Sequence, residues 1–368
     1  MSKNRLFLDI HAIQTLPPSN INRDDTGSPK TALYGGVRRA RVSSQSWKKA
    51  MRDYFKNEYG VENIGYRTVR LPELIAANIR EENHSLSEEE AINKAMELLA
   101  KIKFKNKKTS KYEPVFKIKD EFKLSALYFI SSFQLKELAK AALSNTDNSD
   151  ELRKIIKDNL SIDIALFGRM LATDPYLNED ASAQVAHSIS THAIQNEFDY
   201  FTALDDFPTE DKTGAEMIDN VEFASSTLYR YANIALHELS GQLNDKNAVI
   251  DAVKLFIKAF ANSLPTGKIN SFANQTIPDV LIVTLRNDRP ISLVTAFEKP
   301  VKSTDGNVIK SIQKLSSEFK KVEKFVNEPI ATMYVSLENV DDLSRIGEEK
   351  ASLNSLLEDI SKTLFELI

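Results

Sequence analysis

Between Tyr34 and Arg52 the chain reads Tyr-Gly-Gly-Val-Arg-Arg-Ala-Arg-Val-Ser-Ser-Gln-Ser-Trp-Lys-Lys-Ala-Met-Arg, and its residue types suit a polyanion. Arg38, Arg39, Arg41, Lys48, Lys49 and Arg52 can neutralise phosphates, and cations set against a nucleic-acid backbone release its counterions. Ser43, Ser44 and Gln45 supply neutral donors where a helix opens, so that its first amides and the positive end of its dipole face an anion. The pair Gly35-Gly36 lets main chain approach such a backbone closely. Counting from Ser28 to Lys56, eight cations meet one acid, Asp53, for a local charge of about +7. A solvated charged face is the alternative reading; the glycines and the polar cap beside the cations favour binding.

The total charge hides this block. It is −4, from 48 Lys and Arg against 52 Asp and Glu. A second basic stretch, Lys101 to Lys123, carries nine lysines against three acids. The remainder of the chain is therefore strongly acidic, at about −17.

Enzymatic signals are weak by comparison. With no cysteine among 368 residues, disulfides, zinc thiolates and a cysteine nucleophile are all excluded. Neither a G-x-G-x-x-G run, nor a P-loop, nor an H-E-x-x-H motif occurs. His187 and His192 are five positions apart, about 140° around a helix, so they do not share a face as metal ligands usually do. Asp24-Asp25 would hold magnesium beside a phosphate, which makes a metal-dependent ribonuclease the alternative function. The plainer reading is a loop tied by Asp side chains to its own backbone. No cofactor and no metal are expected. No apolar run reaches the ~20 residues of a membrane span, and the opening residues place Asp9 and His11 where a signal peptide needs an apolar run. A cytoplasmic protein without membrane contact is expected.

These residues need elements to position them. Arg5 to Ile13 reads as a strand that stops at Pro17-Pro18. After Ser43-Ser44, the residues Trp47, Ala50, Met51, Tyr54 and Phe55 recur at helical spacing, while Lys48, Arg52 and Lys56 form a row on the opposite face. Glu88–Leu99 and Lys123–Leu143 read as helices, with the lysine-rich stretch between them as loop or short strand. Phe223–Leu236 reads as a strand or a bent pair of strands, and a helix carrying Val249, Val253, Phe256 and Phe260 follows. Asp279–Leu285 and Ala331–Leu337 are further strands. Leu353 to Leu364 closes the chain as an amphipathic helix. This order is compatible with a ferredoxin-like, or RNA-recognition-motif, α+β sheet carrying a large insert.

The motifs quoted so far belong to a longer pattern. Asn22-Arg-Asp-Asp25, Lys30, Tyr34-Gly-Gly-x-Arg-Arg-x-Arg-x-Ser-Ser-Gln-Ser46 and Lys48-x-Ala-Met-Arg52 are followed by Asp163-Ile-Ala-Leu-x-Gly-Arg-Met170 and Ala186-His-x-Ile-x-Thr-His192. Then come Phe201-Thr-Ala-x-Asp-Asp206, Phe223-x-Ser-x-x-x-Tyr-Arg-Tyr-Ala-Asn-Ile234 and Ala296-Phe-Glu-Lys299. In order and spacing the chain resembles the CasC family, the backbone proteins of type I-E CRISPR Cascade. The resemblance implies a non-catalytic subunit with a modified RNA-recognition-motif palm (1–58 with 221–368), a helical fingers lobe (59–185) and a β-hairpin thumb (186–220). It implies copies stacked head to tail in a helical filament along the spacer of the CRISPR RNA (crRNA). These would present the guide to target DNA in antiviral defence and contact other Cascade subunits. Carried over by position, Arg23, Lys30, Ser43, Gln45, Lys48 and Arg52 would contact the RNA backbone. Met170, beside Gly168-Arg169, would wedge against bases. Tyr200, Phe201 and Thr202 would meet a displaced nucleotide at the thumb, with tyrosine at 200 where the family pattern leads one to expect tryptophan.

Overall fold

The structure, a computed structural model, describes residues 5–60, 64–106, 110–120, 122–171, 173–203 and 217–368. The chain divides into two compact units: Met1–Met51 with Val185–His237 and Val253–Ile368, and Arg52–Gln184 with Glu238–Ala252.

The first unit is built on a sheet whose strands include β1 (Phe7–Ser19), β2 (Thr31–Tyr34), β3 (Val37–Val42), β4 (Ser188–Ser190), β5 (Glu197–Ala203), β6 (Met217–Ala235), β7 (Val280–Arg286), β8 (Ala331–Ser336) and β9 (Glu348–Glu349). Its longer helices are α1 (Ser44–Tyr59), α2 (Lys246–Asn262), α3 (Val308–Val322) and α4 (Leu353–Leu367), of which α1 and α2 each continue from one unit into the other. The strands lie in the order β9-β8-β7-β1-β6-β4-β3-β2, with β5 paired to β6. Leu8 of β1 faces Ile234 on one side and Leu285 on the other, both antiparallel. Hence β6 and β7 run in the same direction on either side of β1, joined through α2. This is a split β-α-β unit, the building block of ferredoxin-like sheets.

β1 is buried from Phe7 to Gln14, which is why it reads as an almost unbroken apolar run rather than an alternation. Its polar residues are matched inside the sheet. Tyr231 Oη donates to Asp9 Oδ1 at 2.8 Å and the Ile291 amide to Oδ2 at 3.0 Å. His11 Nδ1 lies 2.9 Å from Tyr229 Oη. On one face Ile13, Tyr229, Tyr231, Val280 and Ile282 pack with Ile312, Leu315 and Phe319 of α3. On the other, Arg230 is held between the Trp47 ring at 3.7 Å and the Phe260 ring at 4.3 Å.

The second unit is mostly helical: Leu71–Glu82, Glu88–Lys101, Ser132–Leu143, Ser149–Lys157 and Ile162–Phe167. Its own core includes Leu71, Ile75, Leu98, Ile130, Leu138 and Ile156. The lysine-rich stretch forms two short antiparallel ribbons, Lys103–Lys105 with Tyr112–Pro114 and Ile118–Asp120 with Lys123–Leu124.

Three elements differ from the sequence reading. β1 does not stop at Pro17-Pro18; it continues to Ser19 through a shift of register between Leu16 and Ser19. A proline, lacking the amide hydrogen, is tolerated where the ladder is already irregular. The helix expected from Lys123 begins at Ser132, because Tyr128–Ser131 is a fully buried strand paired with Gly65–Thr68. Ser131 then starts the helix with a capping box to Gln134. Finally, the strand expected from Phe223 begins at Met217 and is continuous: Met217–Phe223 pairs with β5, and Ala224–Ala235 pairs with β1.

Candidate nucleic-acid interface

The basic segment folds as the β2–β3 hairpin running into α1. Tyr34 pairs with Val37 across the two-residue turn Gly35-Gly36, and both glycines have positive φ, +60° and +76°, as a type I′ turn requires. A Cβ on Gly35 would sit 1.6 Å from the Glu298 carbonyl oxygen. The close approach that this glycine permits is therefore to the protein's own backbone, not to a nucleic acid. Gly36 faces open space.

Ser43 caps α1: the Ser46 amide donates to its Oγ at 3.3 Å and the Trp47 amide to its carbonyl at 3.2 Å. The helix is anchored one turn later, where Trp47 Nε1 donates to Ser188 Oγ at 2.9 Å. No acidic residue occupies the first turn of α1, so the dipole end has no carboxylate of its own. Beside it lies a cleft of ≈ 30 Å³ lined by Asn22, Lys30, Arg41 and neutral neighbours, with no carboxylate among its lining residues. Arg41 donates through Nε to the Thr31 carbonyl at 3.4 Å and through Nη1 to His187 Nδ1 at 3.2 Å. The Ser44 amide donates to the same Nδ1 at 3.4 Å. Partial burial, then Arg41 and Lys30, hold the His187 pKa below the usual imidazole value. Asn22 Oδ1 accepts from the Ser43 amide at 2.8 Å, fixing the entry to the helix.

The expected contact residues separate into two groups. Arg23, Arg38, Gln45 and Lys49 are exposed, and Lys30, Arg41, Ser44 and Lys48 are half-buried around the hairpin and the first turns of α1. Ser43 is buried in its cap. Three arginines expected at the RNA are instead structural. Arg39 is fully buried and donates to the carbonyls of Tyr34, Ser190 and Phe297 at 3.2, 3.0 and 2.8 Å. Arg52 is committed to Asp163 Oδ2 at 3.0 Å, the Gly65 carbonyl at 2.9 Å and the Phe129 ring face at 4.5 Å. Arg169, 3% exposed, donates to the Leu177 and Ile156 carbonyls, both at 2.9 Å. Arg39 and Arg169 spend all three guanidinium nitrogens on protein oxygens, and Arg52 spends its Nε–Nη2 edge, so that edge is not open to a phosphate. Met170, next to the anchored Arg169, is 85% exposed. On the β5–β6 ribbon, residues 197–202 are all exposed, Tyr200, Phe201 and Thr202 included. Phe198 shares a face with Tyr200 and was not anticipated. Asp206 and the rest of 204–216 lie outside the described residues.

Asp24 follows the plain loop reading. Its Oδ1 accepts from the Thr26 amide and hydroxyl and the Ser28 amide at 2.9, 2.7 and 3.0 Å, and these bonds, led by the Thr26 hydroxyl, lower its pKa. Among the described residues no group of three or more His, Asp or Glu is placed to hold a metal. His192 is likewise occupied, Nε2 accepting from the Thr227 amide at 3.0 Å and Nδ1 lying 2.9 Å from the Ala193 carbonyl. A much larger hollow of ≈ 970 Å³ opens in the second unit. It is lined by Lys157, which is bound to the Asn178 carbonyl at 2.8 Å, and by acids, so the acid-free cleft by α1 is the better anion site. No helix among the described residues is long and apolar enough to cross a membrane.

A search of curated proteins finds no match. A chain of a solved "CRISPR RNA-guided surveillance complex, pre-nicking" is 33% identical with a TM-score of 0.86, over 98% of this chain and 100% of that one. A chain of another "CRISPR RNA-guided surveillance complex" is 29% identical with a TM-score of 0.76, over 97% and 99%. The model of the CT1975-like protein family (Cas_CT1975) matches residues 8–359, nearly the whole sequence, and the chain belongs to that family.

Proposed function

We propose that the protein is a non-catalytic backbone subunit of a type I-E CRISPR Cascade. In this reading copies of it bind crRNA along its sugar-phosphate backbone, stack head to tail in a helical filament, and present the guide for pairing with target DNA in the cytoplasm. The observation that carries it is the acid-free cleft lined by Lys30 and Arg41, next to a helix start that has no acid in its first turn. Contacts of this kind hold a backbone without reading bases, which leaves Watson–Crick edges free to select the target. The likeness to surveillance-complex chains over their full length supports the assembly. The first unit then serves as the RNA-recognition-motif palm, the second as the fingers, and the β5–β6 ribbon as the thumb, with its exposed Phe198, Tyr200 and Phe201 available to stack on bases.

The test is co-expression with the other complex subunits and a CRISPR array. The purified assembly is expected to absorb more strongly at 260 than at 280 nm and to yield spacer-length RNA on sequencing. Assemblies free of RNA would end this reading. Clean magnesium-dependent cleavage of a labelled RNA, abolished by Asp25→Ala, would replace it with the ribonuclease alternative.

A further inference from the structure

His187 has a ring whose tautomer follows from its neighbours. Its Nδ1 lies 3.2 Å from Arg41 Nη1 and 3.4 Å from the Ser44 amide nitrogen. A guanidinium and a backbone amide only donate. Nδ1 must therefore be the acceptor for both, and the proton of the neutral imidazole sits on Nε2. That Nε2–H has no partner among the described residues, and the side chain is exposed. The charged and imidazole groups at this corner are all donors, Lys30, Arg41 and the His187 Nε2–H, and the acceptors beside them are the neutral oxygens of Ser44 and Gln45. Asn22 Oδ1 accepts from the Ser43 amide at 2.8 Å. A base edge carries donors as well as acceptors, and its donors find no partner in Lys30, Arg41 or the His187 Nε2–H. A phosphodiester offers oxygens only.

We infer that His187 contacts a phosphate of the bound nucleic acid, its Nε2–H donating to a phosphodiester oxygen while its Nδ1, tied to the first amide of α1, holds Arg41 toward an adjoining oxygen. The inference rests on the RNA-binding reading above. It adds to the cleft a residue remote in sequence from the basic segment, 146 positions from Arg41, and gives the ring two separable tasks.

Two substitutions divide those tasks. Asparagine places its carboxamide oxygen near the position of Nδ1, so His187→Asn keeps the acceptor for Arg41 and Ser44 but loses the Nε2–H. Glutamine reaches toward Nε2, so His187→Gln keeps a donor but loses the acceptor. Binding of a labelled, unstructured RNA to the full chain is measured at one fixed salt concentration. His187→Asn is expected to weaken it about tenfold, the scale of one hydrogen bond to a charged group. Adding Arg41→Ala should weaken His187→Asn further by its full separate effect, whereas on His187→Gln it should cost less, because Arg41 has already lost one of its two anchors and keeps only the Thr31 carbonyl. A ¹⁵N spectrum of the wild-type imidazoles reads the same claim without substitution, with the His187 proton on Nε2 and slower to exchange once RNA is bound. Wild-type affinity in a folded His187→Asn variant, or an Nδ1–H tautomer, would overturn the inference. A wild-type chain that binds no RNA would instead bring down the RNA reading itself, and the assignment of His187 with it.

Discussion

At the scale of the residue, the same side chain does opposite things according to where the backbone puts it. Arg39 and Arg41 are two positions apart on β3, yet one is sealed among three carbonyls and the other opens into the cleft. Composition cannot separate them, since strand alternation gives them the same face and only the surrounding loops decide which is covered. Buried charge on β1 has a measurable consequence. Burial pushes the Asp9 carboxyl up to about 7, against the hydrogen bonds of Tyr231 and Ile291 and the Arg286 charge. Burial, joined by Arg286, pulls His11 down to about 3. Because the folded value of Asp9 lies above its unfolded value of about 3.9, its contribution to stability is present at low pH and lost as pH rises toward 7. Because that of His11 lies below about 6.5, its contribution is full above 6.5 and lost as pH falls toward 3. Between about pH 4 and 6.5 the two slopes oppose, each near 1.4 kcal/mol per pH unit. Urea unfolding at successive pH values should show Asp9→Asn gaining stability with rising pH across this window and His11→Phe losing it; parallel profiles for both variants and the wild type would contradict the assignment.

At the scale of the element, the hairpin before α1 is set by local chemistry and by one distant contact. The Gly35-Gly36 turn is visible in the sequence as a turn, but which glycine is indispensable is not. Gly36→Ala meets no atom within 4 Å and should cost about 1–2 kcal/mol, the strain of a left-handed alanine. Gly35→Ala carries that strain and must also displace the Glu298 backbone. Its loss in urea unfolding should be clearly the larger of the two, and equal losses would show that the hairpin does not pack as described. The β5–β6 ribbon makes the complementary point. Glu197 to Thr202 are exposed on both faces, so the alternation of Phe198 and Tyr200 with Glu197 and Asp199 is short and buries no face by which a strand is recognised. An isolated two-stranded ribbon is marginal in water; this one is sustained by β6, which continues into the sheet beside β1.

At the scale of the whole molecule, a net charge of −4 conceals a basic face, and salt dependence is the property that exposes it. Single-stranded RNA binding loses about 0.7 in log–log salt slope for each phosphate contact removed. Lys30→Ala with Arg41→Ala should therefore flatten the slope by up to ~1.4, while Arg52→Ala, whose partner is Asp163, should leave the slope of the folded protein unchanged. A flattened slope for Arg52→Ala and none for the pair would reverse the division between contact and structural cations. By itself the sequence determined the helix that opens at Ser43-Ser44, most of the strands, the position of the basic segment and the scarcity of catalytic motifs. Those features depend on local periodicity, capping and composition, which neighbouring residues carry. Only the tertiary structure decided which cations face outward, that Lys123 to Ser131 forms short strands rather than helix, and that His187 sits against Arg41 and Ser44. Those outcomes depend on burial and on contacts between residues far apart in the chain, where a guanidinium takes whichever oxygens the fold brings within reach.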